Sequence, residues 1–167
     1  LVIALPGAVY GPGDHSDLAQ VITAHLRGRL PVAPTRTAFC FAHVEDVAAG
    51  LLAAMEQGKP GESYILGGPP HPLSEVLRRA GRLGGKHHGP LPLPWWGLLP
   101  VAWGAQGLAF ALPPLRGVAE RLRLGAGTTQ LGTDARARAE LGFRPRSLDE
   151  GLPDTVRSLL QDVFAEP

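Results

Sequence analysis

The sequence predicts an α/β protein: part of a parallel sheet, followed by a mostly helical lobe. Three observations carry this. Leu1 to Leu5 are five apolar residues without a charge, the composition of a strand buried on both faces of a parallel sheet. Pro6 then stops the strand, because it has no N–H to donate, and Gly7, Gly11, Pro12 and Gly13 make a loop that backbone can share closely with a ligand. Open α/β sheets bind ligands at such carboxyl ends of strands. Beyond the loop, helical and strand-like segments alternate to Gly68, and helical periods dominate afterwards.

Taken in order, Ser16 and Asp17 are N-cap residues for a helix carrying Leu18, Val21, Ile22, His25 and Leu26, closed near Gly28. Pro31 to Thr37 reads as a loop and Ala38 to Val44 as a short strand. A second helix is expected over Val47 to Gln57, with Glu45 or Asp46 at its positive end. Ser63 to Leu66 is a strand, broken by Gly67, Gly68, Pro69 and Pro70. A third helix starts near Pro72 and ends at Gly84 and Gly85.

From Gly89 to Leu115 no residue is charged. Trp95 to Leu112 is as long as a membrane span, but Pro100, Gln106 and three glycines argue for a buried or interfacial helix beside an apolar site. Arg116 to Leu124 reads as a basic amphipathic helix, and Gly125 to Gly132 as a loop. Thr133 or Asp134 caps the next helix, which stops at Gly142. Ser147 to Glu150 has the capping-box pattern, and the last helix carries Leu152, Val156, Leu159, Leu160 and Val163 on one face.

Composition narrows the function classes. The hydrophobic fraction of 44% suits a globular chain, and the net charge of +1 with scattered basic residues lacks a nucleic-acid binder's footprint. The single cysteine, Cys40, excludes an internal disulfide and fits a reducing, cytoplasmic setting. The adjacent His87 and His88 have no Cys or acidic residue beside them, so no metal site is expected. The chain opens inside a strand pattern without a starting Met, and is expected to be a fragment.

Three blocks resemble one family. LPGAVYGPGD (5–14), FAHVEDVAAGLLAAMEQGKPGESYILGG (41–68) and TDARARAELGFRPRSLDEGLPDTV (133–156) are similar, in order and spacing, to segments of extended short-chain dehydrogenases/reductases. The likeness is to the NAD-dependent epimerase/dehydratase branch, which includes dihydroflavonol-4-reductase-like proteins and hopanoid-associated sugar epimerases. It implies the C-terminal part of a Rossmann-type parallel sheet over 1–68 and a mostly helical substrate-binding lobe over 69–167. It also implies NAD or NADP as cofactor and a small-molecule substrate; a homodimer and peripheral membrane contact are the remaining partners to consider.

The resemblance places Pro6, Gly7, Ala8 and Val9 against the nicotinamide end of the cofactor, and Tyr10, Asp14 and His15 toward the substrate. His43 and Asp46 match shared positions, with a helix cap and a tie to the sheet as their physical work. Sugar-nucleotide epimerases of the family have Arg where Phe39 stands; without that fork-shaped phosphate clamp, an apolar or aromatic hydroxyl or keto compound is favoured. The Tyr-xxx-Lys pair and Gly-rich phosphate turn that hydride transfer needs do not occur here, so this chain by itself is expected to be catalytically inert. Two other readings stand beside this one: a non-catalytic cofactor-binding or scaffolding member of the fold, and a membrane-attached module anchored by residues 95–112.

Overall fold

The computed structural model describes residues 1–86, 88–94 and 129–165. In chain order these form β1 (Ile3–Pro6), β2 (Ala8–Tyr10), α1 (Asp17–Leu26), β3 (Val32–Pro34), β4 (Ala38–His43), α2 (Val44–Gln57), β5 (Ser63–Leu66), β6 (Pro70–Pro72), α3 (Leu73–Leu83), β7 (Leu91–Leu93), β8 (Thr129–Gln130), α4 (Ala135–Leu141) and α5 (Leu148–Ala165). The expected α/β class is what the chain adopts.

The first strand changes partner halfway. β1 pairs in parallel with β5, from Ile3 opposite Ser63 to Pro6 opposite Leu66. After Gly7 the same extended run pairs in parallel with β4, Ala8 opposite Phe41 and Tyr10 opposite His43. β4 also carries β6 antiparallel and β8 parallel. β3 and β7 form a separate parallel pair.

Two cores flank this framework. Tyr10, Ile22, Phe41, Val76, Leu77, Leu152 and Val156 join α1, α3 and α5 to β2 and β4. Ala54, Tyr64, Leu66, Ala137, Leu141 and Phe143 join α2 and α4 to β5. Tyr64 is fully buried with its hydroxyl satisfied: it accepts from the Lys59 N–H and donates to Glu140. Gly50 sets how closely α2 approaches the sheet. A Cβ there would lie 2.9 Å from a Leu66 methyl and 3.0 Å from the Phe143 ring. Gly50→Val should therefore lower stability by about 2 kcal/mol through overpacking, read as a lower denaturant midpoint with an unchanged m-value.

Several boundaries differ from expectation, each for a local reason. The first strand is not buried on both faces: Ile3 is 42% and Leu5 48% exposed. Val2 and Ala4 pack under α2 and α4, while the odd-numbered side chains have no layer over them among the described residues. Val32–Pro34, expected as loop, pairs with Leu91–Leu93; proline-rich strands of this kind are tolerated at sheet edges. α2 starts three residues early because His43, rather than Glu45 or Asp46, is its N-cap and accepts from the Glu45 N–H.

The capping box before α5 is half formed. Glu150 accepts from the Ser147 N–H and hydroxyl, but the Glu150 and Gly151 amides donate to the Ser147 carbonyl, not to its side chain. Thr133 takes the capping role before α4, accepting from the Ala135 N–H. Residues 95–112, the basic helix over 116–124 and His87 lie outside the described residues. Among those described, no helix is long and apolar enough to cross a membrane, and no His, Cys, Asp and Glu cluster could hold a metal.

Candidate functional site

The site lies where β1 hands over to β2. Gly7 donates its N–H to the Leu66 carbonyl at 3.0 Å, and Gly68 donates to the Phe41 carbonyl at 3.0 Å. Between these bonds the backbones of three segments nearly touch. A Cβ on Gly7 would sit 2.1 Å from the Cys40 carbonyl oxygen and 3.2 Å from the Gly67 Cα. One on Gly67 would meet the Cys40 Cβ at 2.9 Å, and one on Gly68 the Phe41 carbonyl oxygen at 2.4 Å. Three glycines thus let parallel strand ends converge where any side chain would force them apart. Cys40 seals the node from behind: it is buried, and its thiol donates to the Gly132 carbonyl. On the open side Pro6 is exposed and Gly7, Ala8 and Val9 are half-buried.

Tyr10 is not in a loop facing a ligand. It is 2% exposed in the main core, edge-on to His43 with ring centroids 5.5 Å apart. Gly151, in the first turn of α5, makes room for both rings; a Cβ there would lie 2.6 Å from the Tyr10 hydroxyl and 3.1 Å from His43 Cδ2. Burial, reinforced by the Asp46 carboxylate, pushes the phenol up to about 12. The hydroxyl has no hydrogen-bond partner among the described residues. An unpaired buried polar group costs about 1–3 kcal/mol. Tyr10→Phe should therefore leave stability unchanged or raise it, and a fall of more than about 1 kcal/mol in urea unfolding would contradict this placement.

His43 holds the start of α2 as a neutral ring. Its Nδ1 accepts from the Glu45 N–H, so the proton sits on Nε2, which is buried without a partner among the described residues. Burial first, and the Arg146 guanidinium second, lower its pKa from 6.5. The Glu45 carboxylate 3.8 Å away is therefore a neighbour and not an ion-pair partner at neutral pH. His25, buried against α3, is lowered by burial too. The unfolded chain binds these protons near pH 6.5 and the folded chain does not, so stability is full above that pH and falls as pH drops through 6.5 toward the lowered native values. Unfolding at pH 8 and pH 5.5 should show this slope, with His43→Asn removing part of it.

Asp46 receives a clamp from outside the helix. The Arg146 backbone N–H donates to it at 2.8 Å, Nε reaches both carboxylate oxygens at 3.1 Å, and Nη2 donates to Asp46 and to Glu45 at 2.9 Å each. This fixes the approach to α5, and thereby Gly151, over Tyr10 and His43. The expected helix cap is made by His43, whereas Asp46 ties α2 to the segment before α5 and not to the sheet.

The other expected residues are dispersed. Asp14 accepts from the Ser16 N–H and hydroxyl and so supports the N-cap of α1. His15 is exposed. Phe39 packs onto the main core, edge-on to Phe41. Gly67, Gly68 and Gly151 were legible only as breakers or helix residues. A Gly-Gly pair directly after a strand was the available signal for close backbone approach.

Parallel strands with helical cover and a glycine node at their ends make a Rossmann-type α/β arrangement. No family model and no curated protein matches the chain. Solved structures do. The protein gox2253 is 28% identical, with a TM-score of 0.72, over 96% of this chain and 49% of its own. A nucleoside-diphosphate-sugar epimerase from Pseudomonas aeruginosa is 28% identical, with a TM-score of 0.71, over 98% and 49%. The WbmF enzyme from Bordetella bronchiseptica, solved with NAD+, is 22% identical, with a TM-score of 0.66, over 98% and 46%. The chain thus has the fold of the extended short-chain dehydrogenases/reductases of the epimerase type. It spans about half the length of the proteins it matches.

Proposed function

We propose that this chain forms the nicotinamide-side strand ends and the substrate lobe of an NAD(P)-dependent oxidoreductase or epimerase. The observation that carries this is the glycine node. Gly7, Gly67 and Gly68 bring backbone together at the carboxyl ends of β1 and β5, leaving a small, uncharged surface of Pro6, Ala8 and Val9. Such a surface fits the flat nicotinamide end of a dinucleotide. Nothing among the described residues has the Gly-rich turn that would hold its pyrophosphate.

NAD(P), when bound, accepts or returns a hydride. The chain's own work is to present a flat wall at Pro6–Val9, to hold that wall rigid through the Gly7 and Gly68 hydrogen bonds, and to exclude water with the lobe that follows. The similar enzyme WbmF was solved with NAD+, which supports this reading. Proton transfer at the substrate oxygen needs a group outside this chain, so the isolated chain is inert.

The substrate is a hydroxyl- or keto-bearing small molecule, apolar in preference to a sugar nucleotide. Phe39 packs inward where a phosphate clamp would stand, and the uncharged run over 89–115 follows. The reduced, buried Cys40 suits a cytoplasmic enzyme. The test is hydride transfer by the gene-encoded protein, with NAD+ or NADP+ and a panel of aromatic and aliphatic alcohols beside UDP-glucose. Turnover of the apolar alcohols with weak UDP-glucose binding is expected. Tight binding of UDP-glucose would overturn the substrate class, and failure to bind either dinucleotide would overturn the reading itself.

A further inference from the structure

Helices α1 and α3 end side by side. Across their last turns, a Cβ on Gly81 would meet His25 Nε2 at 2.8 Å, and one on Gly84 would meet a Leu26 methyl at 2.5 Å. Both helices stop in the same way. Gly28 and Gly85 take left-handed φ values of +74° and +80°. The residue after each then donates its N–H back across the last turn, Arg29 to the Ala24 carbonyl and Lys86 to the Gly81 carbonyl, each at 2.8 Å. A glycine turn of this kind satisfies the helix's own last carbonyls. It also brings two basic residues to one place. Lys86 Nζ lies over Gly28, 3.3 Å from where a Cβ would stand.

Arg27 caps α1 and Arg82 occupies the last turn of α3; both are exposed, as is Arg29. Four bases, scattered in the sequence, are thus gathered by the fold at one end of the helix pair. No acidic residue occurs from 18 to 44 or from 76 to 119, although the chain has 15. The helix dipoles do not account for the cluster. Each carboxyl end carries about −0.5 charge, so the two together balance about one of the four positive charges. The remaining like charges repel one another, and the two glycine turns hold them together regardless.

Two exposed leucines flank the bases. Leu83, 49% exposed, follows Arg82. Leu91, 69% exposed, donates its N–H to the carbonyl of Pro31, two residues after Arg29. A nucleic acid would meet the charges and leave the leucines in water. The anionic face of a lipid bilayer takes both, phosphate-bearing headgroups against Arg and Lys and the acyl boundary against Leu.

We propose that the joined carboxyl ends of α1 and α3 are a docking surface for an anionic lipid bilayer, with Arg27, Arg29, Arg82 and Lys86 among the headgroups and Leu83 and Leu91 between them. The contact is peripheral and reversible, each base strengthening it about fivefold. It uses none of the residues at the Pro6–Val9 wall, so a protein that binds no dinucleotide can still pass the test.

The test is sedimentation of the gene-encoded protein with vesicles of phosphatidylcholine alone or of an equal mixture with phosphatidylserine. Binding to the mixed vesicles is expected, at least about tenfold stronger than to the neutral ones and lost at about 0.5 M salt. Arg29→Glu/Arg82→Glu should weaken it at least about 20-fold, and Leu83→Ser/Leu91→Ser about tenfold. Arg136→Glu/Arg144→Glu makes the same charge change on and just after α4 and should weaken it less than about threefold, since charges beyond a Debye length are screened. Equal binding to both vesicle types, binding to neither, or equal losses in the two charge-reversed variants would overturn the proposal. Unchanged binding of the leucine variant would overturn it too, as would capture of a single-stranded oligonucleotide in place of the mixed vesicles. Should Arg29→Glu/Arg82→Glu not fold, Arg29→Gln/Arg82→Gln and the lipid and salt dependence of the unaltered protein decide.

Discussion

Gly7→Val is expected to cost about 3 kcal/mol or more and to abolish dinucleotide binding in the gene-encoded protein. The added carbon would begin 2.1 Å from the Cys40 carbonyl oxygen. Backbone, unlike a side-chain end, cannot rotate away. β4 would have to leave β2, or Gly67 would have to leave β1, and either move reshapes the wall at Pro6–Val9. Gly67→Val should act less severely, since its nearest neighbour is the Cys40 side chain at 2.9 Å. Equilibrium unfolding and NAD+ titration of both variants check the order. A Gly7→Val protein with parent stability would mean that the strands do not converge as described.

The second large effect is expected at Arg146. Its side chain is 31% exposed and that of Asp46 is 13% exposed. Exposed pairs contribute up to about 1 kcal/mol, and breaking a buried pair costs about 3–5 kcal/mol. This pair lies between, and the lost guanidinium leaves a half-buried carboxylate with only the residue-146 amide. Arg146→Ala should therefore cost about 2–3 kcal/mol. Asp46→Asn/Arg146→Ala should recover part of that, because the stranded charge is gone. Equal stability of the single and double variants would show that the cost comes from packing of the arginine stem.

The framework was readable in the sequence because it is local. The stop at Pro6, the run of Ser63–Leu66 into Gly67-Gly68, and the apolar spacing along α1 and α5 are short-range patterns. What escaped was set by long-range packing. The composition of Leu1–Leu5 is that of a two-face buried strand, and only the layers around it reveal that Ile3 and Leu5 are uncovered. Tyr10 sits in a glycine-rich segment that reads as loop, yet Gly151, distant in sequence, opens a slot for it. His43 as the cap of α2 was masked by Asp46, which is a better capping residue by type. The edge pairing of Val32–Pro34 with Leu91–Leu93 carries prolines that suppress a strand reading.

The central claim is that the strand ends at Pro6–Val9 face the nicotinamide ring. Hydrogen exchange of the gene-encoded protein with and without saturating NAD+ or NADP+ tests it most directly. The expected result is slowed exchange at the Gly7, Ala8 and Val9 amides on adding dinucleotide. Binding that protects other segments and leaves those three amides unchanged would contradict it.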